Sequence, residues 1–251
     1  LLNGNDGDDT FSFADGLVVN GVINGGLGLD TLDYTRYTTA RHANILGWDD
    51  NGYYGVQAGS PAGPLCSVID GFTGIKRIIG SPVATELTGD RLYSILTEGG
   101  VWTLDGNNSI YKSIDAIDST GQAITLNFRN FDLLFGSDMD DSFTMVGSEF
   151  GRLFGGIGND SFIMLDGATL LGDIDGGGGD NTLDYRAYTT SVRVDLSTFT
   201  ATGISRSIIG IGIVYGGEGD DHLTGDSGDN ILASTGGSDI LEGKYGSNTY
   251  L

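Results

Sequence analysis

The constraint that most limits what this chain can become lies in Gly216–Leu251, which divides without remainder into four nine-residue units. They read GGEGDDHLT, GDSGDNILA, STGGSDILE and GKYGSNTYL. Gly219, Gly228, Gly237 and Gly246 hold the fourth position, Asp221, Asn230, Asp239 and Asn248 the sixth, and Leu223, Leu232, Leu241 and Tyr250 the eighth. Glycines at the first and fourth positions let the backbone turn tightly, and a carboxylate or amide at the sixth leaves a hard oxygen where the turn straightens. The last three residues make a short strand with one apolar side chain pointing inward. One unit buries almost nothing, so copies must stack before a core exists.

This pattern resembles the calcium-binding nonapeptide G-G-x-G-x-D-x-U-x of the haemolysin-type, or RTX, repeat family. The resemblance implies an all-β fold: a right-handed parallel β-solenoid, or β-roll, with two nonapeptides per coil and calcium between successive turns. It also implies that each ion takes carboxylates from the sixth position and carbonyls from neighbouring turns. On that basis Asp9, Asp30, Asp141, Asp160, Asp221 and Asp239 are the candidate metal ligands. Asn230 and Asn248 join them as weaker ones, since each offers a single neutral amide oxygen, and Asn181, standing where the first copy has Asp30, is a ligand or a turn cap on equal grounds. The competing reading of every such residue is a turn-capping side chain bonded to its own backbone.

A duplication runs through the chain. Residues Gly4–Thr39 and Gly155–Thr190 align without a gap, sharing GG-x-G, T-L-D-Y and Y-T-T blocks. GIKRIIG from Gly74 is expected to answer GISRSIIG from Gly203, which leaves roughly 22 extra residues in the first copy between Trp48 and Thr73. Two units follow, 1–132 with an insertion near 49–73 and 133–251 ending in the four nonapeptides. The insertion is expected to protrude. Motif starts at Gly136, Gly155 and Gly176, and at Gly4 and Gly25, are expected to stack as columns, with calcium lining one edge there and both edges only after Gly216. The inward ladder is expected to hold Phe11 and Leu32 in one copy and Phe143, Phe162 and Leu183 in the other. The stretch from Glu98 to Phe135 lacks clean nonapeptides and is expected to form wider, irregular coils.

Charge narrows the partners. With 34 Asp and Glu against 12 Lys and Arg, the formal net charge is −22, and no basic patch is evident to meet nucleic-acid phosphates. Divalent ions numbering half that charge would neutralise it, and without them self-repulsion opposes compaction. A lone Cys66 excludes an intrachain disulfide, which leaves calcium as the staple suited to an extracellular protein. No apolar run approaches the ~20 residues of a transmembrane helix.

His42 and His222 are too few for zinc, and no nucleophile elbow or Cys–His arrangement appears, so an enzyme is not expected. The one catalytic alternative is a polysaccharide lyase or epimerase on a parallel β-helix, for which Arg36, Tyr37, Arg41 and His42 are close in sequence. Trp48, Asp49, Asp50, Asn51, Tyr53 and Tyr54 mix aromatic faces with polar groups, which suits a glycan, a cell-surface polymer or local packing equally. Both ends run directly into motifs. That leads to an expectation of adjoining repeats in a longer polypeptide or of self-association into fibres. The function expected is a segment or subunit of a bacterial surface fibre, sheath or RTX adhesin, the alternative being the calcium-folded secretion module of an exoenzyme.

Overall fold

Turn-strand units in this chain end in alternating segments such as Ser142–Met145 (SFTM) and Ser161–Met164 (SFIM), in both of which the second and fourth residues are buried and the others are not. A period of two places those apolar side chains on one face of a strand. The computed structural model describes residues 1–251 apart from 16, 18, 39–41, 59–70, 82–90, 95, 97 and 107. It is all-β, with strands paired mostly in parallel and no helix among the described residues. Among the described residues no helix is long and apolar enough to cross a membrane.

The chain divides into two compact units, Leu1–Gly100 with Asn107–Ser137, and Val101–Gly106 with Asp138–Leu251. In the first unit, Leu2–Asp6, Ile23–Leu27 and Phe72–Ile75 pair in parallel, as do Thr10–Ala14, Thr31–Arg36, Arg77–Ile79 and Leu126–Arg129. Phe11 lies opposite Leu32 and Leu32 opposite Ile78, so the expected pairing of the first two extends by one strand. Ser109–Ser113 then joins Leu126–Arg129 antiparallel, the local irregularity expected of the region after Glu98.

The second unit stacks Gly100–Leu104, Ser142–Met145, Ser161–Met164, Thr182–Asp184, Ile213–Tyr215, Ile231–Ala233 and Thr249–Tyr250 in parallel register. The expected inward ladder of Phe143, Phe162 and Leu183 is present, each opposite the next. Trp102, fully buried, continues it with its ring stacked on Phe143 at 5.4 Å, and Phe143 stacks on Phe162 at 5.2 Å. Near-parallel rings at this spacing follow from strands about 4.8 Å apart that carry the same side chain at the same register position.

The duplication is visible in contacts as well as in letters. Asp15 accepts the Thr38 hydroxyl at 2.5 Å and Asp166 accepts that of Thr189 at 2.9 Å, while Tyr37 and Tyr188 donate their hydroxyls to the Leu17 and Ala168 carbonyls. The Y-T-T blocks therefore encode a buried tyrosine and the threonine that clips the turn beneath it.

Two expectations fail. Gly74 matches Gly210, not Gly203: Lys76 and Arg77 donate their N–H groups to the Asp30 carbonyl as Gly212 and Ile213 do to that of Asn181. The inward residue sets this register, since Ile78 stacks on Leu32 as Val214 does on Leu183; the first copy's extra length is accordingly less than the expected 22. The insertion also does not simply protrude. Gly52–Ala58 pairs antiparallel with both His42–Asp49 and Phe72–Ile75, and Tyr53 is fully buried, donating to the Ile124 carbonyl and accepting the Ser113 N–H. Residues 59–70, with Cys66, lie outside the described residues.

Candidate metal centre

Consecutive repeats are tied to each other by two rows of acidic and amide side chains. The first row is the sixth motif position. Asp30 accepts the Asp9 N–H at 3.0 Å, Asp160 that of Asp141 at 2.8 Å and Asn181 that of Asp160 at 2.8 Å. Asp221 accepts the Val192 N–H, Asp239 that of Asp221, and Asn248 that of Asn230. All nine candidate ligands therefore belong to one structural class. They fall in separate columns: Asp9 with Asp30, Asp141 with Asp160 and Asn181, Asn230 with Asn248, and, on the other edge, Asp221 with Asp239. The strands that follow Asp221 and Asp239, His222–Thr224 and Ile240–Glu242, pair with each other in a separate sheet.

The second row was not anticipated. It is the fifth position, where Asp8, Asp140, Asn159, Asp220 and Asp229 accept N–H groups of Leu29, Asn159, Asp180, Ser238 and Ser247 at 2.6–2.8 Å. These bonds run the opposite way, from the later repeat's backbone to the earlier repeat's side chain. The signal was in the sequence as a run of Asp and Asn just before the sixth position.

The sixth-position side chains are buried where they lie within a column: Asp30, Asp160 and Asn181 are fully covered and Asp141, Asp221 and Asn230 nearly so. One oxygen of Asp30, Asp160, Asn181 and Asp221 is used by the N–H bond from the other repeat, while Asp141 accepts the Trp102 indole N–H and Asn230 the Asp226 N–H. The second oxygens of Asp9, Asp30 and Asp160 are buried without a hydrogen-bond donor. Gly4 and Gly155 explain where two of them point. A methyl group on Gly4 would overlap both Asp9 Oδ2 and the Gly25 carbonyl, and one on Gly155 would overlap Asp160 Oδ2 and the Gly176 carbonyl. Glycine at position one thus keeps open a cradle in which a carboxylate oxygen and a carbonyl oxygen converge with no positive group between them.

Related positions relieve that conflict in different ways. Asn181 places Nδ2 in the corresponding cradle and donates to the Gly210 carbonyl at 2.9 Å. Asp221 Oδ2 accepts the Gly217 N–H at 2.7 Å and the Ser234 hydroxyl at 2.9 Å. Beside Asp30, Lys76 brings its ammonium to the Gly28 carbonyl at 2.9 Å, where the second copy has Gly212. An amide, a hydroxyl and an ammonium each supply donors or charge; Asp9 and Asp160 have none of them.

Burial pushes the Asp160 carboxyl up to about 7, with Asp141 and Asp140 adding to the rise and the Asp141 N–H opposing it. Burial likewise raises Asp30, against the Asp9 N–H and Lys76. A carboxyl whose pKa is raised in the folded state favours folding below its unfolded value, and that advantage is lost as pH rises through the window between the two. In calcium-free buffer, Asp160→Asn is therefore expected to raise the thermal midpoint by a few degrees at pH 7.5 and to leave it unchanged near pH 4. Circular dichroism melts across that range in EDTA check this, and a pH-independent difference refutes it.

Among the described residues no three or more His, Cys, Asp or Glu side chains group at metal-binding separations. An ion at Asp9 or Asp160 would thus draw on glycine carbonyls as well as carboxylates, the oxygen-only donor set that suits calcium.

Other candidate residues are placed differently. Tyr37 is buried and donates its hydroxyl to the Leu17 carbonyl. Arg41 and the His42 side chain lie outside the described residues. Of the aromatic group expected at the insertion, Tyr53 is core and Tyr54 is 39% exposed. Asp49 caps the turn through the Asn51 N–H, and Asp50 accepts the Ser119 N–H. Compared with protein-family models and with curated proteins, the chain matches none.

Proposed function

We propose that this chain is an extracellular, calcium-stabilised right-handed parallel β-solenoid with a structural or adhesive role, a segment or subunit of a bacterial surface fibre, sheath or RTX adhesin. The observation that carries the calcium reading is the set of buried, donorless carboxylate oxygens of Asp9, Asp30 and Asp160, two of which share a cradle with a glycine carbonyl. A buried carboxylate facing a carbonyl is unfavourable unless a proton or a cation lies between them. Calcium would supply that charge, held by Asp9 with the Gly25 carbonyl and by Asp160 with the Gly176 carbonyl; Lys76 serves the same electrostatic purpose beside Asp30. Asn181 is the position at which the protein's own amide takes the place of an ion. Ion binding selects the folded chain because the cradle exists only when repeats are stacked. Repetition of the same face along the chain supports assembly through adjoining repeats or a second copy.

Calorimetric titration of the calcium-depleted protein tests this reading. Asp9→Asn and Asp160→Asn are each expected to lower the number of calcium ions bound, whereas Asn248→Ala leaves it unchanged. Equal stoichiometry in all of them would remove the aspartates from the site. Electron microscopy of the calcium-loaded protein tests the assembly: fibres support it, and dispersed single particles count against self-association.

A further inference from the structure

In a chain with so few cations, two that lie together without partners stand out. Arg77 and Arg129 have no side-chain hydrogen bond or ion pair among the described residues, whereas Arg152 pairs with Asp173, Arg186 with Asp184 and Lys244 with Glu242. Their strands, Arg77–Ile79 and Leu126–Arg129, are parallel neighbours in which Asn127 lies opposite Arg77 and Arg129 opposite Ile79. Ile78 and Phe128 point inward and are buried, so alternation turns Arg77, Ile79, Asn127 and Arg129 to the other face. There, with Asn108 and the edge of Phe128, they line a depression of about 160 Å³.

Two guanidinium groups on diagonal positions of adjacent strands lie roughly 7–8 Å apart at their bases, a like-charge pairing that costs stability unless an anion sits between them. Their planar forks match a carboxylate. Asn127 donates Nδ2 to the Lys76 carbonyl, which leaves its Oδ1 to accept a hydroxyl, and Asn108 offers both a donor and an acceptor. Ile79 supplies an apolar wall. Asp33 stands opposite Ile79 on the far side, held by the Ser12 hydroxyl and the Thr35 N–H; its charge opposes a second negative group on the ligand.

We propose that this depression binds one compact, hydroxylated monocarboxylate, a sugar acid of the hexuronate class, through its carboxylate on Arg77 and Arg129. The chain's remaining negative charge disfavours a long polyanion, so the ligand is a single acidic unit. Titration of the calcium-loaded protein with galacturonate, and with galactose as the neutral probe of the same shape, reads this out. Galacturonate is expected to bind saturably in the millimolar range, and galactose not to bind. Arg77→Gln and Arg129→Gln should each weaken binding about tenfold without lowering the melting temperature of the ligand-free protein, since a charge-assisted bond is lost and a like-charge contact relieved. Arg129→Lys, which keeps the charge and removes the fork, should weaken it as well and stands in if a glutamine variant misfolds. Equal binding of galactose, no saturation by galacturonate, or affinity indifferent to both arginines would overturn the proposal. So would a change in sedimentation of the glutamine variants with galacturonate binding intact, which would assign the arginines to a second copy of the chain.

Discussion

Transferring the protein from millimolar calcium into EDTA is expected to abolish its β-sheet circular dichroism, and restoring calcium to recover it. Each ion held at ten times its dissociation constant contributes about 1.4 kcal/mol. Two such ions, one at Asp9 and one at Asp160, contribute about 3 kcal/mol, a sizeable share of the roughly 5–15 kcal/mol that separates folded from unfolded domains. Removal does more than withdraw that linkage term, because it leaves the buried second oxygens of Asp9 and Asp160 facing glycine carbonyls with no cation between them. Magnesium is expected to substitute poorly, since it dehydrates reluctantly and demands a near-octahedral site. A spectrum indifferent to prolonged EDTA treatment with heating would overturn the calcium reading and leave the buried carboxylates to be explained by protonation.

Replacing Phe162 with alanine is expected to cost about 3–5 kcal/mol, the range for emptying a fully buried aromatic site. Phe162 stacks on Phe143 and lies opposite Leu183. Repacking is restricted because each ring in the ladder is fixed by a strand hydrogen-bonded on both sides, so the cavity cannot close by sliding one strand. Trp102 lies two places along the same ladder, and its fluorescence reports the loss as a lowered denaturant midpoint. Phe199→Ala, at a site 49% exposed, is the control and should shift the midpoint little. A midpoint for Phe162→Ala close to that of the control would mean that the ladder is not what holds the second unit together.

Much of this arrangement was legible because it repeats. Position eight of each motif had to be apolar and inward, so Phe11, Leu32, Phe143, Phe162 and Leu183 could be placed before their neighbours were known. The sixth-position residues were recognisable by spacing, but not the difference among them. Asn181 closes its own cradle and Asp160 does not, and that depends on where Nδ2 or Oδ2 meets a glycine carbonyl from another repeat. The fifth-position row escaped because its partners are backbone groups, which every residue except proline offers. Tyr53 escaped for a different reason. Its burial follows from antiparallel pairing of Gly52–Ala58 with strands before and after it, and from a hydrogen bond to Ile124, contacts that no periodicity encodes. The matching of Gly74 to Gly210 was obscured because similar letters near Gly203 outweighed the one inward residue, Ile78, that fixes the register.

The two opposed rows of side chains also bear on how such a chain changes over generations. Toward the preceding step a unit presents a sixth-position acceptor, and toward the following step a fifth-position acceptor, whichever two units happen to be adjacent. The separations of 18, 19 and 21 residues seen along these rows show that the path between one turn and the next can lengthen or shorten without disturbing either junction. Excising or copying a whole step therefore regenerates the same junction, while adding one residue between positions five and six turns one acceptor away from its donor. Growth by duplication is the cheap genetic route for this molecule, and single-residue drift inside a turn is the expensive one.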